Sequence, residues 1–212
     1  MERIYSLCVM TALISFLGFI VENIWIGLRK GYMDNRNMVF PFLFGYGIAV
    51  VGIYLVFNTP RHLSLLDNNI PLSDERVSIL LYFAIVMLCI SLGEIILGKT
   101  VERFCHIKWW DYSTLPLHIT QYSSFFTSFG FTLMIVFFMD KIFVPLYDWF
   151  LSWDSTVLAI TSTVLIVIMT VDFVYSGYLM YTKRATTQRW MLDLSDSRLY
   201  KKMCNWRECH KM

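Results

Sequence analysis

Five stretches of this chain are long, apolar and nearly free of charge, and each has the length of a helix solvated by lipid. They run from Ile4 to Leu28, Val39 to Phe57, Val77 to Leu97, Ile119 to Met139 and Thr156 to Tyr181. About 20 mostly apolar residues, rising 1.5 Å each, cross a hydrocarbon core ~30 Å thick. With no water there to bond the backbone, the helix is the conformation such runs must adopt. The fourth run is the least regular, because Gln121, Ser123, Ser124, Thr127 and Ser128 make its first half polar. That face is expected to point into the protein. Only 16% of the residues are charged, against about 25% in soluble domains. The expected fold class is therefore all-α, a polytopic membrane helix bundle of about five transmembrane helices. Residues 1–182 form the transmembrane domain and 183–212 a basic tail. The first run is too long for a signal-peptide core, carries Glu22 towards its end and lacks a small-residue cleavage site, so it is expected to stay as a helix.

Charge sorts the connections into two sides. The N-terminus, the loop 58–76 and the segment 140–155 hold four basic residues, whereas the opposite connections and the tail hold the other fourteen of the 18. Cytoplasmic segments carry the excess of Lys and Arg. The reading is a multi-pass protein of the plasma membrane with its N-terminus outside and its C-terminus cytoplasmic. Between the fourth and fifth spans, Phe143, Leu146, Trp149, Phe150 and Trp153 fall at near-helical spacing. This predicts one short interfacial helix on the outer side, with tryptophans at headgroup depth. The tail has eight basic and three acidic residues. Each basic charge can add roughly 1 kcal/mol of attraction to an anionic leaflet, although a tail that only fixes topology accounts for it equally well.

Glu22, Glu94 and Asp172 lie 18, 17 and 16 residues past Ile4, Val77 and Thr156. In the topology above, these three helices run in the same direction, which places the acids at one depth in the inner third of the bilayer. An ionisable group there costs about 2.5–3.5 kcal/mol on insertion scales and usually has a function. Two arrangements are open: a shared polar cavity facing the cytoplasm, or acids that snorkel or pair with loop arginines. Candidate partners follow each of the first two acids: Asp34, Asn35, Arg36 and Pro41 after Glu22, then Trp109, Trp110, Asp111, Tyr112, Ser113, Pro116 and His118 after Glu94. The two halves resemble a parallel repeat of helix, acid, polar loop and proline. Paired tryptophans beside an acid can hold a cation or anchor a loop among headgroups.

The stretch from Gly18 to Gly130 resembles a family of small bacterial membrane proteins, the putative ABC-transporter type IV or CmpB-like family. The likeness rests on Asn35-Arg36, on Pro41 with Tyr46-Gly47, and on Glu94 followed by Trp109-Trp110-Asp111-Tyr112-Ser113 and Pro116. The chain departs from the family at Phe40-Pro41, where Gly-Pro is usual, and at His118, where Asn is usual; a glycine soon after is missing. The resemblance implies transport. The chain contains no Gly-x-x-x-x-Gly-Lys-Ser/Thr phosphate loop, so an ATPase that drove it would be a separate polypeptide.

The Cys204, Cys209 and His210 cluster lacks the spacing of a zinc module. No metal or cofactor is expected, and nucleic acid is not among the expected partners, which are membrane lipid, a separate ATPase and, as an open alternative, a second copy in a homo-oligomer. The favoured function is a transport or permease-like component. Glu22, Glu94 and Asp172 would form an acidic, cytoplasm-facing pocket for a cation or cationic solute. Asn35, Arg36, Trp109, Trp110, Asp111 and His118 would form its gate. The rivals are a membrane-embedded enzyme using carboxylate acid–base chemistry on a lipid-linked or amphipathic substrate, and a structural or regulatory subunit.

Overall fold

A computed structural model describes residues 1–66, 68–70, 74–197 and 200–201. The chain is helical, with α1 at Glu2–Lys30, α2 at Phe44–Phe57, α3 at Glu75–Cys105, α4 at Phe125–Phe138, α5 at Val144–Leu151 and α6 at Ser155–Lys183. By length and composition, α1, α3, the continuous stretch Phe125–Leu151 and α6 can each cross a membrane, while α2 is a shorter apolar helix. The protein is thus a multi-pass membrane helix bundle.

Local chemistry sets the ends of these helices. Asp74 and Asp154 cap α3 and α6, accepting from the backbone N–H of Arg76 at 2.8 Å and of Thr156 at 2.9 Å. At the end of α1, Gly31 takes the left-handed conformation (φ 78°) and its N–H bonds back to Gly27, which is the usual stop for a helix. The first and fifth runs match α1 and α6 closely, the third matches the start of α3 but the helix continues past Leu97 to Cys105, and the second and fourth differ at their starts. The second run was expected from Val39, but α2 begins at Phe44, because residues 39 and 40 give their N–H groups to a side chain rather than to a helix. The fourth was expected from Ile119, but residues 118–120 and 123–124 form a small antiparallel hairpin, and the helix starts only at Phe125. The short helix expected around residues 143–153 is α5, and it follows α4 without a loop, through one π-helical turn at Met139–Phe143, as part of the continuous apolar stretch Phe125–Leu151.

The bundle has two ends. At one, Ser6 donates to the carbonyl of Tyr147, Ser78 to that of Pro60, and Arg61 bridges Asp140 at 2.6 Å and also pairs with Glu75. This end gathers the N-terminus, the described residues of the 58–76 loop and the 140–155 segment. At the other, the strand Tyr32–Asp34 pairs antiparallel with Met191–Asp193 of the tail. The side chain of Asn35 donates to the Thr187 carbonyl and accepts from Arg189 N–H at 2.9 Å, while Asn37 accepts from Thr187 N–H at 2.8 Å. The near part of the tail is therefore laced onto the loop after α1.

Packing follows the same division. α1 lies against both α2 and α6, and α3 lies against α4. The larger core joins Met10 and Ile14 of α1 to Val50 and Val51 of α2, Phe143 and Phe150 beyond α4, and Leu158 of α6. Gly47 allows the α1–α2 contact, since a Cβ there would collide with the Thr11 carbonyl and the Ser15 hydroxyl. Small residues at crossings are how membrane helices approach without a hydrophobic driving force between them. Each half of the chain pairs a helix of 29 or 31 residues with one of 14.

Candidate functional site

Two cavities meet at the end that carries the tail. One, of about 450 Å³, is a polar vestibule lined by Trp25, Arg29, Lys30, Asp34, Asp111 and the tail residues Thr186, Gln188 and Met191, among others. The second, of about 540 Å³, is apolar and lies between α2, α3, α4 and α6. Glu22, Arg36, Trp109, Trp110 and Tyr112 line both and form the wall between them.

The wall is built from α1 and two loops. Glu22 projects from the later half of α1 and accepts from Arg36 Nη2 at 3.1 Å and from the Tyr46 hydroxyl at 2.7 Å. The ion pair is mostly buried, with side-chain exposures of 13% and 12%. Arg36 is delivered by a turn in which Asp34 accepts from the Arg36 N–H at 2.8 Å, the side-chain-to-backbone bond that favours Asp in turns. Tyr46 reaches Glu22 because Gly18, one turn earlier on α1, leaves room for its ring: a Cβ there would sit 2.6 Å from Tyr46 Cγ. On the facing loop, Trp110 donates to the Tyr122 carbonyl at 2.8 Å, and its ring lies 5.7 Å from that of Trp109. The Arg36 Nε and Trp109 Nε1 groups are buried without a partner among the described residues. Burial beside Glu22 and Glu94 pushes the Tyr112 hydroxyl well above the usual phenol range.

Glu94 lines the apolar cavity only. It accepts from the Ser128 hydroxyl of α4 at 3.2 Å, and Ser128 lies 3.0 Å from the hydroxyl of Ser123. The same cavity is lined by the aromatic Tyr46, Phe131, Trp109, Trp110 and Tyr112 together with aliphatic residues of α2 and α3. Glu94 makes no ion pair among the described residues, whereas Glu22 has one.

The structure thus brings Glu22 and Glu94 to one cavity and holds Asp172 apart. Asp172, 3% exposed, lines neither space. Its two oxygens accept from Val39 N–H at 2.8 Å and Phe40 N–H at 2.9 Å, and Ser176 donates to it at 3.1 Å. Of the expected gate, Arg36, Trp109 and Trp110 stand in the shared wall and Asp111 lines the vestibule. Asp111 accepts from Ser113 N–H and lies 3.8 Å from Lys108; those groups hold its carboxyl below the usual range. Asn35 is the knot that ties the tail, and His118 is exposed, 3.1 Å from the Leu115 carbonyl; neither lines a cavity. Cys204, Cys209 and His210 lie outside the described residues. Sequence reasoning left Tyr46 and Ser128 out of the candidate site, named Tyr112 only as a possible partner of Glu94, and gave the tail an electrostatic or topological role but no contact with the loop after α1. The glycine spacing around Tyr46 carried a signal, but only for close helix contact.

Lipid-length helices with ionisable side chains inside the bundle define a polytopic membrane protein. The chain belongs to the family described as Putative ABC-transporter type IV, whose model matches residues 9–177. Neither the curated proteins nor the solved structures hold a match to it. The family and the apolar helices together support a membrane transport-like role.

Proposed function

We propose that this protein is the membrane component of a transporter and that its solute is a cation with an apolar body, taken up in the space beside Glu94. The supporting observation is that Glu94 lines an aromatic-walled cavity in the membrane domain with no basic side chain paired to it among the described residues. A carboxylate removed from water without a counter-charge is costly, and a cationic guest supplies one. The surrounding rings add π faces, each contributing roughly 0.5–2 kcal/mol to a desolvated cation. Glu22 plays a different part, because Arg36 already neutralises it. With Arg36, Trp109 and Trp110, it forms the gate between vestibule and cavity. Asp172 leaves the binding set and becomes the anchor of the loop that carries the gate.

The vestibule lies at the end bearing the excess basic residues, which we assign to the cytoplasm, with the N-terminus outside the plasma membrane and 183–212 as a cytoplasmic tail. Any ATPase that drives transport is a separate polypeptide and docks on that end. The adjoining polar and apolar spaces also suit an enzyme acting on an amphipathic substrate; turnover of a lipid-linked compound by the purified protein would favour that reading.

The test uses tetraphenylphosphonium and its isosteric anion tetraphenylborate, with binding to detergent-purified protein followed by equilibrium dialysis. We expect saturable binding of the cation, and at least about tenfold weaker binding both of the anion and of the cation to Glu94→Gln, a difference of about 1.4 kcal/mol. Equal affinity for cation and anion, or an unchanged affinity in Glu94→Gln, refutes the reading.

A further inference from the structure

We infer that Glu94 exchanges a proton for the cationic solute, so that below the midpoint of this exchange the apolar cavity holds one or the other. This rests on the cation reading above and adds to it the fate of the charge when no solute is bound. The groups sharing the cavity with Glu94 decide what can neutralise it. α1 contributes Glu22, an acid. The loop contributes Arg36, whose Nη2 is committed to Glu22 at 3.1 Å. α2 contributes Tyr46, whose hydroxyl is donated to Glu22. α3 contributes Cys89, the facing loop Tyr112, and α4 and α6 only the apolar Phe131, Ile135 and Phe173. Among the described residues no permanent cation in the cavity is left for Glu94, and the charged neighbour that α1 supplies has the same sign.

A lone carboxylate in such a place resolves its charge by taking a proton or a counter-ion. Its hydrogen bond comes from the Ser128 hydroxyl, a group that can donate to the ionised oxygen or accept from the protonated one. Ser123 lies 3.0 Å from Ser128, interacts with Glu94 as well, and can reorient with its neighbour. The pair therefore tolerates both states without leaving a buried hydroxyl unbonded. In the exchange, the carboxyl O–H bond breaks as the cation enters, the proton passes to water in the vestibule, and the carboxylate remains as the counter-charge. No other bond changes, and the net charge of the cavity is the same before and after for a monovalent solute.

The experiment measures proton release when tetraphenylphosphonium is added to purified protein in weakly buffered detergent solution, using an indicator dye. About one proton per bound cation is expected below the midpoint of the exchange, falling to none well above it. Apparent affinity should rise with pH through the same midpoint. Glu94→Gln should release no proton, while Glu94→Asp should retain release. Ser128→Ala removes a donor that favours the ionised form, so it should move the midpoint to higher pH, a shift that a purely structural role for Ser128 would not produce. Saturable cation binding with no proton release between about pH 5 and 9 overturns the exchange while leaving the cation site intact. Absence of cation binding overturns the site itself. Undiminished release in a folded Glu94→Gln variant assigns the proton elsewhere and refutes the inference.

Discussion

Replacing Asp172 tests whether this intramembrane acid is an anchor rather than a ligand group. Its oxygens take the N–H groups of Val39 and Phe40, and the Ser176 hydroxyl, at 2.8, 2.9 and 3.1 Å. Hydrogen bonds to a charged partner contribute about 1.5–3 kcal/mol each, and a donor left buried and unbonded loses its hydration as well. Side-chain bonds between membrane helices average nearer 0.6 kcal/mol, so the low end of the range applies. Asp172→Ala strands both backbone donors and should destabilise the fold by about 3 kcal/mol. Asp172→Asn keeps one acceptor but turns an amide N–H₂ towards the other donor, for a loss of about 2 kcal/mol. Ser176→Ala should cost about 1 kcal/mol. The measurement is unfolding by sodium dodecyl sulfate from a mild detergent, followed by far-ultraviolet circular dichroism, with refolding checked on dilution. The anchor role fails if Asp172→Asn unfolds within about 0.5 kcal/mol of the parent yet loses tetraphenylphosphonium binding. That result would return Asp172 to the binding set.

Two further perturbations probe the scaffold. Gly47→Ala drives a methyl group into the Thr11 carbonyl and the Ser15 hydroxyl and should cost about 1–3 kcal/mol by overpacking; Gly52→Ala, whose Cβ would meet nothing within 4 Å, is the control and should be near neutral. Asn35→Ala removes the side-chain bonds to Met38, Thr187 and Arg189, so hydrogen exchange at residues 186–193 should speed up by at least about tenfold while the centres of α1 and α6 stay protected.

Helices whose pattern was uninterrupted were legible from the sequence to within about two residues at every end but one, since α3 runs on past Leu97 to Cys105 through charged residues that hydropathy excludes. α3 and α6 begin at an Asp cap and α1 ends at Gly31 between basic and polar residues, so local chemistry and hydropathy agree there. The second run misled because hydropathy cannot tell an apolar loop from an apolar helix. Val39 to Leu43 are as hydrophobic as α2 itself, and a carboxylate 133 residues away keeps them out of it. The fourth run misled differently, since its serines and glutamine serve a hairpin rather than a polar helix face. Among the acids, spacing was enough to bring Glu22 and Glu94 to one place, but nothing linear distinguishes a carboxylate that faces a cavity from one that receives backbone N–H groups. The tail was invisible to sequence reasoning for the same reason: its partners Asn35 and Asn37 lie about 150 positions earlier.

The shortness of α2 has an electrical consequence. Fourteen residues rise about 21 Å, some 9 Å less than a 30 Å hydrocarbon layer, so non-helical backbone, held by Asp172, completes that crossing and sets the turn bearing Arg36 against the membrane domain. Water filling the polar vestibule would carry high permittivity towards the level of that turn, and the transmembrane voltage would then fall mainly across the remaining thickness. A charge stepping from this recess onto an inner carboxylate then crosses a steeper field than it would in an undented bilayer, where a full crossing is worth ~2.3 kcal/mol per 100 mV.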